Sequence, residues 1–221
     1  MGRNGKSKHR VTSKDQVKYT YTDKIAMHAA DGNPQGTLRA FEAMCGAGLK
    51  PNEITYGTVI NAYAQQGQTA GALETFEAMC GAGLKPNEIT YNTVINAYAQ
   101  QGQTAGALET FEAMRGAGLK PDKFTYCTVL MAMHRGGHCA TLRDVMRNMK
   151  VDGVQWDTHV LYAALRCARD RKTKEQIFKR KVGTTGGNDY VRKALIGGLG
   201  VERTDALIRE ARARYPGLVW K

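Results

Sequence analysis

Apolar positions recur through the middle of the chain at spacings of three and four. Between residues 88 and 122, Tyr91, Val94, Ile95 and Tyr98 fall on one side of a helix. Leu108, Phe111 and Met114 mark the apolar stripe of a second. Gly102 interrupts the pattern at "QQGQT", and Thr104 is placed to cap the second helix. Gly106 and Ala107 leave room for close approach of a neighbouring helix. Gly116 and Gly118 end the second helix, and Pro121 lies just beyond. No alternating strand pattern competes, so the segment predicts a helical hairpin.

The hairpin returns every 35 residues. Residues 53–87 and 88–122 differ at three places only: Gly57 against Asn92, Cys80 against Arg115, and Asn87 against Asp122. One further unit fits upstream, at 18–52, and one downstream, at 123–157. A degenerate fifth unit covers 158–187, and residues 188–221 read as two capping helices. Residues 1–17 read as a basic flexible arm. A lone hairpin cannot bury both of its stripes, whereas stacked hairpins can. The predicted fold is therefore all-α, a right-handed α-solenoid with the first helices lining one face.

Composition changes this picture mainly through charge. The 221 residues carry a net charge of +12, which points to an acidic partner. The charge is uneven. Residues 53–122 hold 3 Lys/Arg against 7 Asp/Glu, whereas residues 123–221 hold 20 against 9. No apolar run has the length of a membrane span. The five cysteines form no CxxC pair, and Cys45 and Cys80 are one repeat position seen twice. They read as thiols of a reducing compartment that pack between helices. The N-terminus lacks the apolar core of a secretory signal; a short transit peptide and a plain basic arm both remain open. "GKS" at Gly5–Ser7 has no room for the glycine and strand that a phosphate loop needs.

The motifs "TYNT", "ALETFEAM" and "GLKPD", in register with the period, resemble the pentatricopeptide repeat of the plain 35-residue type. The resemblance covers residues 18–157 and fades towards residue 187. It implies binding of single-stranded RNA, one base per repeat, read by two side chains. The first reader follows the Thr-Tyr pair and the second is the last residue of the unit. The pairs are Thr22 with Asn52, Gly57 with Asn87, Asn92 with Asp122, and Cys127 with Asp157. Two of the three differences between the duplicated blocks fall on these positions. The resemblance also implies that Tyr19, Ile54, Ile89 and Phe124 sandwich bases; packing between units is the alternative.

The last reader can be argued from chemistry alone. An ionised Asp only accepts hydrogen bonds, which suits the N3–H of uracil or the N1–H of guanine. An Asn amide also donates, which suits adenine N1 or cytosine N3. With the family's reader code and polarity the register is A–(A/C)–U–(U/G). The family often carries a phosphate-binding Lys near the end of the first helix. Here Ala30, Gln65 and Gln100 replace it, and only Arg135 keeps the charge. The remaining phosphate candidates are Arg166, Arg169, Lys172, Lys179 and Arg180, read as one electropositive face.

Other chemistry is weaker. His134, His138, Cys139 and His159 do not complete a zinc site, because a turn separates them. "GTTGGND" at Gly183–Asp189 follows no strand and reads as a loop. A deaminase signature does not occur, and the carboxylates after Asp157 are too scattered for a metallonuclease. The expectation is a binding protein with no cofactor, no metal and no small-molecule substrate. The resemblance implies organellar RNA metabolism in the mitochondrion or chloroplast, with the cytoplasm or nucleus as the alternative, as a homodimer or within an assembly. The alternative is a structural subunit of a ribonucleoprotein that grips RNA through its basic C-terminal half.

Overall fold

The structure is a computed structural model describing residues 13–138 and 141–220. The "GKS" stretch and Cys139 lie outside those residues. The described residues hold twelve helices and no named strand. In chain order they are α1 Ser13–Ala30, α2 Pro34–Gly46, α3 Glu53–Gln65, α4 Thr69–Gly81, α5 Glu88–Gln100 and α6 Thr104–Gly116. There follow α7 Lys123–Gly136, α8 Leu142–Val151, α9 Thr158–Cys167, α10 Arg171–Thr185, α11 Asp189–Leu199 and α12 Val201–Arg214. None is long and apolar enough to cross a membrane. The first helix starts at Ser13, ahead of the repeat register, so residues 13–17 are helical where the sequence implied a flexible arm.

Two compact units are present, one ending at Pro86 and one starting at Asn87. In the first unit α1 pairs with α2, α3 with α4, and α1 and α2 both touch α3. In the second unit α5 packs on α7, α7 on α9, and α9 on α11. The second helices flank this row. An apolar core runs through it, centred on Phe111, Tyr126, Val129, Leu130, Met133, Leu161 and Phe178.

The stripes predicted for the third hairpin are the ones buried. Tyr91, Val94, Ile95, Phe111 and Met114 are inside, with Tyr98 and Leu108 half-buried. Gly102 turns the chain in the left-handed region, at φ 66°. Gly106 has a packing reason: a Cβ there would lie 2.3 Å from the Tyr98 ring. Thr104 does not cap its helix. Its hydroxyl, buried, donates to the Ala132 carbonyl at 3.1 Å and ties one hairpin to the next. The cysteine reading also needs correction. Among the described residues Cys45 and Cys80 are exposed, Cys127 is half-buried and only Cys167 is fully buried.

Arg115 accounts for the third difference between the duplicated blocks. It pairs with Asp152 at 3.4 Å, and Tyr126 donates to the other oxygen of that carboxylate. Burial, then the Asp152 contact, pushes the Tyr126 phenol well above its ordinary value. Cys80 has no equivalent partner to reach, because Ala117 stands where Asp152 stands one unit later.

Candidate nucleic-acid interface

Each repeat ends on an Asn or Asp because that residue starts the next helix. Asn52, Asn87 and Asp122 are extended N-caps of α3, α5 and α7. Asn52 Oδ1 accepts from the Thr55 amide at 2.9 Å and the Thr55 hydroxyl at 2.7 Å. Asn87 Oδ1 accepts from the Thr90 amide at 2.9 Å and hydroxyl at 3.0 Å. Asp122 Oδ1 accepts from the Thr125 amide and hydroxyl, both at 2.8 Å. The cap fixes which amide atom faces inward, since a backbone N–H can only be met by oxygen.

The outward atom therefore has opposite polarity in the two residue types. Asn52 and Asn87 keep an NH2 group that only donates. Asp122 keeps a second carboxylate oxygen that only accepts. The duplicated hairpins thus differ at their end by one group, donor against acceptor, on the same scaffold.

Asn92 belongs to the same cluster. The Thr125 hydroxyl lies 2.7 Å from Asn92 Oδ1, and Asp122 N donates to it at 3.2 Å. One hydroxyl proton cannot serve both Asn92 and Asp122. The carboxylate is the stronger acceptor and takes it. The Asn92 contact is then satisfied by the amide turned to donate, which leaves its carbonyl oxygen outward.

The fourth unit is different. Asp157 caps α9 through the amides of His159 and Val160, at 3.0 and 2.9 Å. Its other oxygen pairs with Lys123 Nζ at 2.8 Å. Burial pushes this carboxyl up, but the Lys123 hydrogen bond and the Val160 amide outweigh it and hold it below its ordinary value. Any ligand group that meets this oxygen would compete with a lysine. Burial, then the Asp157 charge, pushes the Cys127 thiol up to about 11. It stays protonated at neutral pH and is a weak donor. In the first unit the Thr22 hydroxyl donates to the Lys18 carbonyl at 2.8 Å, so what it keeps outward are acceptor lone pairs. Gly57 is half-buried.

The four second positions are open to solvent. Tyr19 is 66% exposed, Ile54 73%, Ile89 75% and Phe124 57%. Most of each side chain therefore lies outside the packing between repeats. The side-by-side packing of α5, α7 and α9 sets Ile89 and Phe124 in a row with His159, and Asn92 and Cys127 in a row with Tyr162.

The cations do not share one face. Arg166 reaches back to His134, with Nε 3.1 Å from Nε2, and lies over the Tyr162 ring. Burial, then the Arg166 charge, holds His134 below its ordinary value, which suits an acceptor. Lys179 faces Glu210 of α12 at 3.2 Å. Arg169 donates to the Gly137 carbonyl. Arg180 points to another side of α10, and Lys172 is exposed. Arg135 donates to the Ala99 carbonyl at 3.2 Å and so spends one N–H on the end of α5. Sequence reasoning missed Lys123, Thr125 and Tyr162. Lys123 alone left a signal: it stands where the two preceding units carry Glu53 and Glu88. Gly183–Thr185 forms the last turn of α10, so the "GTTGGND" loop is shorter than expected.

The profile described as "PPR repeat family" matches residues 53–97 and 86–135. That described as "Pentatricopeptide repeat domain" matches residues 18–66. Together they run from 18 to 135, more than half of the chain. No curated protein sequence matches. Among solved structures, the pentatricopeptide repeat protein PPR10 in complex with an 18-nt psaJ RNA element is similar at TM-score 0.66 and 21% identity. The alignment covers 91% of this chain and 29% of that one. The PPR domain of Arabidopsis thaliana protein-only RNase P 1, in complex with tRNA, is similar at TM-score 0.67 and 17% identity, over 88% of this chain and 98% of that one. Nuclear proteinaceous RNase P 2 from A. thaliana gives TM-score 0.69 and 15% identity, over 88% and 42%. Likeness at these identities establishes the fold.

Proposed function

Because the chain belongs to the pentatricopeptide repeat family, we propose that it binds single-stranded RNA and selects bases through the pairs Thr22–Asn52, Gly57–Asn87, Asn92–Asp122 and Cys127–Asp157. One observation carries this reading. Asn87 and Asp122 cap the first helices of successive hairpins through the same side-chain oxygen yet turn a donor and an acceptor outward. A scaffold that only packs has no use for that difference. Tyr19, Ile54, Ile89 and Phe124 are the surfaces on which bases stack, and Arg135, Arg166, Arg169, Lys172, Lys179 and Arg180 contact phosphates. The register is A–(A/C)–U–(U/G). The fourth position discriminates least, since Lys123 already holds Asp157. The RNA-bound neighbours support the polymer class, and the role is binding rather than cleavage.

Stacking contributes about 1–3 kcal/mol per base by substitution. Four bases give modest affinity once ordering costs are subtracted. The protein therefore acts as a homodimer or within an assembly, in organellar RNA processing, stability, splicing or translation. Titration of the full chain with A–A–U–U oligonucleotides and scrambled controls tests the reading. Preference for the matched register supports it, and equal binding of both sets refutes it.

The second reading, a ribonucleoprotein subunit, is favoured by Ala30, Gln65 and Gln100 at the phosphate positions and by the engaged Arg135. It predicts RNA binding indifferent to sequence and lost only when the basic C-terminal half is altered.

A further inference from the structure

The second helices of the last repeats carry a surface that base reading does not use. Whereas α7 and α9 pack together, α8 and α10 border a groove of about 1050 Å³. Arg143, Arg147 and Lys150 line it from α8, and Arg169, Arg180 and Lys181 from the α10 side. On α8 the spacing of four and three keeps the cations on one helix face, over a rise of about 10 Å. Two carboxylates border the groove, and both are committed. Asp144 pairs with Arg147 at 2.8 Å, and Asp170 caps α10 through the Thr173 amide at 2.7 Å. Among the described residues no carboxylate lies in ion-pair range of Arg143, Lys150 or Arg180.

Apart from Arg147, the cations of the two walls have no ion-pair partner among the described residues. Burial, then the charges of Arg180 and Lys150, holds the Lys181 ammonium below its ordinary value. Lys181 lies 4.6 Å above the Trp156 ring, and Met146 and Ile177 add apolar surface between the cations. A double row of charge in which only Arg147 is paired calls for a polyanion with a regular charge repeat. Four of the six cations are guanidinium groups, whose forked donors match phosphate oxygens in pairs. Trp156, Met146 and Ile177 offer cover for ribose and base.

We propose that the α8–α10 groove is a second RNA site, which grips the phosphodiester backbone without regard to sequence. It answers the loss of phosphate lysines from the first helices. Affinity comes from the second-helix row of the last repeats and selectivity from the first-helix row. It fits an RNA longer than the four-base register, or a separate segment of the same RNA.

The test uses the full chain and two 30-nt single-stranded RNAs, one with A–A–U–U and one scrambled. Arg143→Gln/Lys150→Gln/Lys181→Gln should bind both about tenfold or more weakly at 100 mM salt. The slope of log K against log salt should fall by about 2, near 0.7 for each lost phosphate contact. The ratio between the two RNAs should not move. The charge-retaining Arg143→Lys/Lys150→Arg protein should keep the wild-type slope. Conversely, Asn92→Ala/Asp122→Ala should change the ratio and leave the slope alone. The two ideas therefore fail separately: a wild type without preference sinks base reading while the groove stands. An unchanged slope in the triple variant overturns the groove. So does polyglutamate displacing RNA as well as RNA itself does, since that marks a surface for acidic protein.

Discussion

Asn92 and Asp122, 30 positions apart in sequence, meet at one hydroxyl: Thr125 Oγ1 lies 2.7 Å from one side chain and 2.8 Å from the other. The two proposed readers of the third repeat are oriented by a shared residue of the fourth. Thr125→Val removes the hydroxyl but keeps the backbone amide that Asp122 caps. Stability should fall by about 1 kcal/mol, the net worth of one hydrogen bond. Uracil preference at the third base should weaken about fivefold, and Thr125→Ser should restore it. Oligonucleotide titration beside thermal unfolding separates the two effects. Loss of stability with preference intact would confine Thr125 to capping.

Phe124 is 57% exposed, so its contribution lies outside the core. Phe124→Ala should change unfolding free energy by no more than about 0.5 kcal/mol. RNA binding should weaken by about 1–3 kcal/mol, whichever base stands opposite. A fall in stability with RNA affinity unchanged would return this position to packing.

Lys123→Met should raise the Asp157 carboxyl, since burial is then opposed chiefly by the Val160 amide. The folded value in the wild type is depressed, so its stabilisation is complete above the unfolded value of about 3.9 and fades as pH falls through the folded one. The stability gap between the two proteins should be open at pH 7 and close below about pH 4. Carbon-detected NMR of the Asp157 carboxyl and urea unfolding across pH check both halves. A gap that persists at pH 2 would contradict the ion pair. Freeing Asp157 should also sharpen discrimination at the fourth base.

Gly136 sits against the preceding turn: a Cβ there would lie 2.2 Å from the Gly102 carbonyl and from Thr104 Oγ1. Gly136→Ala should destabilise the fold by about 1–3 kcal/mol, because backbone cannot yield as a side-chain tip can. Gly116→Ala meets nothing within 4 Å and should be neutral or slightly stabilising. Equal effects of the two substitutions would contradict the close approach.

The hairpins were legible because helical periodicity is local. Tyr91, Val94, Ile95, Phe111 and Met114 are buried where their spacing places them. The caps were not legible. Asn87 and Asp122 carried a reading role by resemblance only, and the capping role that orients them comes from the structure. What stayed hidden needs partners many residues away. Thr104 fits a cap by local rules, yet bonds to Ala132, 28 positions on. Arg115 with Asp152 and Lys123 with Asp157 depend on which hairpin ends come to face one another. The basic run looked like one face in sequence; helix geometry and Glu210 divide it between two sides of α10.

The most direct measurement is the base preference at the third position for the wild type and for Asp122→Asn. Asn caps α7 as well as Asp does, so stability should hold within about 0.5 kcal/mol. Only the outward group changes, from acceptor to donor. Quantitative binding to the A–A–N–U set should give uracil first for the wild type, and cytosine or adenine first for the variant. The same base order in both proteins, at unchanged stability, would contradict the account.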